Sequence, residues 1–157
     1  MLTRENLPTP APQAPPAPKA IVRLPRAAAC ATVARGLTRI WLGEALGVPG
    51  PRLEDAVLVV SEFFALAVLH GTGPETGLHL LVGSGGTARA EVAGYWTSGC
   101  PPVPETRPCL RLVDAIIGGL GGQWGFGDNG AVAWCAFPVR GDGRCASAPA
   151  AHGPMMP

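Results

Sequence analysis

The chain has 157 residues, 47% of them hydrophobic and 15% charged, with 22 Gly and 18 Pro. That length holds one domain of ordinary size and hardly two. Twelve Lys+Arg against eleven Asp+Glu leave a net charge of +1, without the clustered basic excess of a nucleic-acid binder. The longest apolar stretch, 56–69, contains Ser61 and Glu62 and is too short and too interrupted to span a membrane.

The leading segment, residues 1–19, holds six prolines between Pro8 and Pro18. Proline lacks an amide donor, so a disordered or polyproline-like tail is expected there. No apolar run of a secretory signal occurs in it. The five cysteines (Cys30, Cys100, Cys109, Cys135, Cys145) form no C-x-x-C pair and no tight cluster with histidine. Free thiols in a reducing cytoplasm, and no metal site, follow as the expectation. The fold is assigned to 20–139, and 140–157 reads as a second disordered tail rich in Gly, Ala and Pro.

Ala20–Leu24 reads as a short strand stopped by Pro25. From Arg26 the pattern turns helical, with Val33, Leu37, Ile40, Trp41 and Ala45 on one stripe. Gly47, Pro49 and Gly50 break it. A second helix is expected from Pro51 to about His70, with Gly71 as its left-handed cap. It is apolar almost all round, which implies burial between layers. Leu78–Val82 and Thr87–Val92 flank a Gly83–Gly86 turn and predict a hairpin. A proline-rich loop spans Tyr95–Pro108, and a third helix spans Leu110–Ile117. Gln123–Phe126, the turn Asp128-Asn129-Gly130 and Ala131–Phe137 form a second hairpin. The economical solution is an α/β two-layer sandwich, its mixed but mainly antiparallel sheet covered on one face by helices. Trp41, Trp124 and Trp134 are assigned to the core. Gly118, Gly119, Gly121 and Gly122 form either an anion nest or a flexible turn. The G-x-G-x-x-G run Gly125–Gly130 precedes a strand and is no dinucleotide fingerprint.

The segment Ser61–Gly71 (SEFFALAVLHG) resembles the N-box helix of the GHKL (histidine-kinase-like) ATPases. The closer likeness is to stand-alone actinomycete ATP-binding regulators similar to anti-sigma-factor serine kinases. RAAACATVARGL, RAEVAGY, LRLVDAIIGGLGGQWG and GAVAWCAFPV look like that family's first helix, pre-adenine strand, post-G-box segment and last strand. The resemblance implies a Bergerat-like sandwich and a nucleotide pocket. Glu62 would stand at the catalytic base position. His70, Gly94, Tyr95, Cys109 and Leu110 would line the remains of the cofactor pocket.

The family's magnesium-holding asparagine is matched by Leu66, whose isobutyl group ligates no hard cation. Its adenine-binding aspartate falls near Gly94. Its glycine box is Arg107-Pro108-Cys109-Leu110, where Pro108 removes an amide and Cys109 adds a side chain. Its late Lys or Thr is replaced by Ala131 and Val132. Phosphoryl transfer needs the metal's charge, so no cofactor is expected, and ATP with magnesium enters only if the site works. The reading is a regulatory, anti-sigma-factor-like pseudo-ATPase whose partner is a protein, such as a sigma factor or an anti-anti-sigma protein. Neither nucleic acid nor membrane is expected as a partner, and a homodimer is compatible. The alternative is a working ATP-dependent serine/threonine protein kinase. Glu62 is either catalytic or an ion-pair partner of Arg39 or Arg111, and His70 either lines the pocket or serves the helix end. Tyr95 and Trp96 either plug the pocket or stack on another ligand.

Overall fold

The computed structural model describes residues 19–83, 85–94, 108–127 and 130–141. Of the two expected tails, 1–18 and 142–157 lie outside them, as do Tyr95, Trp96, Asp128 and Asn129, while Lys19, assigned to the first tail, opens a strand. The elements are β1 (Lys19–Pro25), α1 (Cys30–Arg39) and a π-helical turn (Ile40–Ala45), followed by α2 (Gly50–His70). Then come β2 (Glu75–Gly83), β3 (Thr87–Ala93), α3 (Pro108–Gly119), β4 (Gln123–Gly127) and β5 (Val132–Pro138).

The five strands form one sheet in the order β1-β2-β3-β5-β4. All four pairings are antiparallel, so the expected mixed sheet is corrected to an antiparallel one. Hairpins explain two of the four: β2–β3 and β4–β5 are each joined by a short turn, which only antiparallel neighbours allow. Gly85, Gly86 and Gly130 supply the turns' positive φ angles of 73°, 74° and 92°.

Each strand alternates. Leu78, Leu80, Ala88, Ala90, Val92, Ala133, Cys135 and Phe137 are buried under the helices. His79, Arg89, Glu91 and Trp134 stand on the opposite face, half-buried. Trp134 is thereby moved out of the core to which its hydrophobicity assigned it. Trp41 and Trp124 do pack against the core, each half-buried.

Helix α2 lies over the central strands and packs on α1 and α3. It buries Ala56, Val57, Val59, Val60, Phe63, Phe64, Leu66 and Ala67. Complete burial of a side chain such as Phe63 or Phe64 contributes ~1.5–3 kcal/mol. The helix is not enclosed between layers, because Leu58 and Leu69 are 40% and 71% exposed on its outer stripe.

The stripe expected on α1 is rotated by one residue. Val33 and Ile40 are 48% and 56% exposed, whereas Ala34, Thr38 and Leu42 are fully buried. Small residues win this face because they let α1 approach α2 closely. The Thr38 hydroxyl meets its hydrogen-bonding need by donating to the Ala34 carbonyl at 2.7 Å. The helix also begins at Cys30 rather than Arg26. Arg26 has other work: its N–H donates to the Pro74 carbonyl, and its guanidinium donates to Gly73 O (2.6 Å) and Val68 O (3.1 Å). It thus closes the C-terminal end of α2, whose last carbonyls have no partner in the helix.

Gly71 ends α2, but not in the left-handed conformation expected. Its φ is −74° and its ψ 164°. Glycine is needed there for space. A Cβ would collide with the backbone carbonyls of Ala67 and Gly94 and would lie 3.1 Å from Arg26 Cδ. Gly71→Ala is expected to destabilise the fold by about 1–3 kcal/mol. Gly36→Ala, in α1 with nothing within 4 Å of the added methyl, should stabilise by about 0.5–1 kcal/mol. Urea denaturation of both variants checks the pair.

Candidate functional site

The C-terminal half of α2, the end of β3 and the start of α3 carry the residues singled out from the sequence. The structure brings part of that set together. Gly94 is buried at the end of β3, its N–H donating to the Ala131 carbonyl at 2.8 Å and its own carbonyl facing Gly71. Leu66 is 3% exposed and Leu110 fully buried, and both belong to the hydrophobic core. Cys109 is half-buried and packs against the same core from the first turn of α3. His70 is half-buried in the last turn of α2. Tyr95 lies outside the described residues.

Glu62 stands apart from this apolar set. It is half-buried at the border of the exposed stripe formed by Leu58, Ala65 and Leu69. Neither arginine proposed as its partner holds it among the described residues. Arg39 forms a bidentate pair with Glu54 instead, with N–O distances of 2.9 and 2.8 Å. That hydrogen-bonded pair, on the surface, raises the Arg39 pKa and lowers that of Glu54. Beside Glu62, Ser61 Oγ accepts a hydrogen bond from Arg35 at 3.2 Å, which ties α1 to α2.

The glycines after α3 form a turn rather than an anion nest. Gly121 has φ 72° and donates to Gly118 O, while the Gly122 N–H donates to Ile117 O. Amides that cap a helix end are not available to an anion. Gly122 is also pressed against β5, where a Cβ would lie 2.8 Å from Phe137 Cβ.

Two polar arrangements escaped the sequence reading. On the open sheet face, Arg89 Nε donates to Glu91 Oε1 at 2.7 Å and its guanidinium sits 4.4 Å from the Trp134 ring centre. His79 Nδ1 lies 3.5 Å from Glu91 Oε2. Alternation along each strand signals that these residues share a face, but only the β3–β5 register brings Glu91 opposite Trp134. The second is a cleft of about 530 Å³ lined by Asp114, Ile117 and Gly118 of α3, Gly122, Gln123 and Trp124 at the start of β4, and Trp134. Trp124 Nε1 donates to Asp114 Oδ1 at 2.9 Å.

No family model matches this sequence, and no curated protein matches it. Among the described residues, no group of three His, Cys, Asp or Glu is placed to hold a metal ion. No helix among them is long and apolar enough to cross a membrane. Cys30 and Cys135 are free thiols. Burial pushes the Cys135 thiol up to about 12.

Two experiments separate core from surface here. Leu110→Ala is expected to cost about 2–5 kcal/mol by chemical denaturation. Glu62→Gln should stay within about 0.5 kcal/mol of the parent, as an outward-lying substitution does. In the native protein at pH 8, iodoacetamide should leave Cys135 unmodified, because almost no thiolate is present and the sulfur is buried. Unfolding in guanidinium should expose it, as peptide mapping would read.

Proposed function

We propose that the chain is a regulatory protein-binding module with a Bergerat-like, histidine-kinase-like fold and a defective ATP site. The observation that carries this reading is the position of Leu66. The residue that matches the family's metal ligand is 3% exposed and packs within the core, not toward an open pocket. An isobutyl group in that setting supplies no oxygen to magnesium. The neighbouring positions agree. Leu110 is fully buried, and the Gly94 backbone is occupied by Ala131 and closed against Gly71. The order of helices and hairpins, with all helices on one sheet face, is compatible with that fold. Fold does not fix function, so the partner class rests on the family likeness. It is a sigma factor or an anti-anti-sigma protein.

A serine/threonine kinase is the second reading. Glu62 favours it, as a half-buried carboxylate with no ion pair among the described residues. One titration decides between the two. Isothermal titration with Mg-ATP should give no saturable heat, and a micromolar affinity that depends on magnesium would establish the kinase reading instead. Leu66→Asn should not create binding. It should cost about 2–4 kcal/mol of stability by removing packing and burying an amide. Binding to purified sigma factors and anti-anti-sigma proteins should be indifferent to ATP.

A further inference from the structure

The cleft beside β4 has a consistent electrostatic character. Its one lining carboxylate, Asp114, accepts from the Trp124 indole through Oδ1 and forms no ion pair among the described residues. Among the described residues, no basic side chain lines the cleft. Arg89, over the Trp134 ring, is held by Glu91. The C-terminal end of α3 opens into the same space at Gly118, and the last turn of α3 contains no basic residue. The carbonyls there are already met by the Gly121 and Gly122 amides and, at Leu120, by Arg52, so the unmatched negative charge of the cleft is that of Asp114.

The remaining walls are apolar or aromatic. Ile117 is buried beneath the cleft, and the Trp124 ring is braced by Phe63 at 6.3 Å and Phe126 at 6.0 Å. The hydrogen bond to Asp114 fixes the indole further. Negative charge at one end and fixed indole surface along the wall suit a cation on an apolar stem. Such a group gains a charge-assisted hydrogen bond and an aromatic contact together.

We infer that this cleft is a binding site for an organic cation, a guanidinium or alkylammonium group on an apolar stem. The stem lies along Ile117 and Trp124, and the head meets Asp114. The site stands apart from the ATP question, because it uses none of the residues matched to the nucleotide pocket. A free small molecule and a partner's arginine or lysine side chain share this chemistry.

Titration of the full chain with n-butylguanidinium, followed by the NMR signal of the Trp124 indole N–H, tests it. A saturable shift is expected, weakened by salt, as screening dictates for a partly exposed ion pair. n-Butylurea, the neutral isostere, should give none. Asp114→Asn keeps an acceptor for the indole and removes the charge, and binding should fall about tenfold. Gly118→Lys places a competing ammonium in open space at the cleft and should abolish binding. An arginine-containing tripeptide that binds more tightly than n-butylguanidinium, and loses this with citrulline, would identify a protein side chain as the source. The reverse order would identify a small molecule. Absence of a saturable shift, or equal affinity in Asp114→Asn, would overturn the assignment.

Discussion

Burial of α2 against a single face of the sheet constrains everything else in this molecule. The helix has 21 residues and is ~30 Å long at 1.5 Å per residue, about the width of a small domain. Eight of its side chains are buried, from Ala56 to Ala67. Its last carbonyls have no partner within the helix. Arg26 donates to carbonyls at the C-terminal end. Near the N-terminal end, Arg52 reaches the carbonyls of Leu120 (2.9 Å) and Pro138 (2.7 Å). It thereby joins the start of α2 to the end of α3 and the end of β5. Both arginines act through backbone carbonyls, so substitution elsewhere in α3 or β5 need not disturb the join.

The same burial limits what chemistry α2 can perform. A side chain pointing at the sheet enters a close-packed apolar volume, where a polar group without partners is costly. Leu66 is in that volume, and Glu62, one turn earlier, is at its margin. A functional carboxylate can persist only on the margin, where water still reaches it. Gly71 tightens the arrangement, because its missing Cβ lets the end of α2 meet the carbonyl of Gly94.

Much of the architecture was legible in the residues. Proline and glycine mark nearly every boundary: Pro25 ends β1, Gly47 (φ 68°) ends the π-helical turn, and Gly85, Gly86 and Gly130 shape the hairpins. These signals are local, and local geometry decides them. The failures concern distance. The large apolar residues of α1 point to one face, while the buried face carries the small Ala34 and Thr38. Trp134 was misplaced because hydrophobicity says nothing about strand parity until the register with β3 is known. The π-helical turn left no mark beyond Gly43, where a Cβ would lie 2.9 Å from Leu53 Cδ2. The candidate site was legible only as a set of positions. That Leu66 and Leu110 are core residues follows from packing, and the Asp114–Trp124 bond joins elements ten residues apart through a turn of glycines.

The sheet face that no described helix covers explains why binding is better sought at its margin than at its centre. Across the middle strands, His79, Glu91, Arg89 and Trp134 engage one another, so the polar groups there are largely matched. A ligand on that surface would have to displace internal pairs to form its own, at little net gain. At the β4 edge the situation is reversed. Gly125 and Gly127 carry no side chains, the Trp134 ring covers Gly125, and Asp114 carries a charge that no described cation meets. Unmatched charge beside fixed aromatic surface offers a ligand interactions that the protein has not already made with itself. The edge of β4 and the end of α3 are therefore where this fold holds binding capacity in reserve.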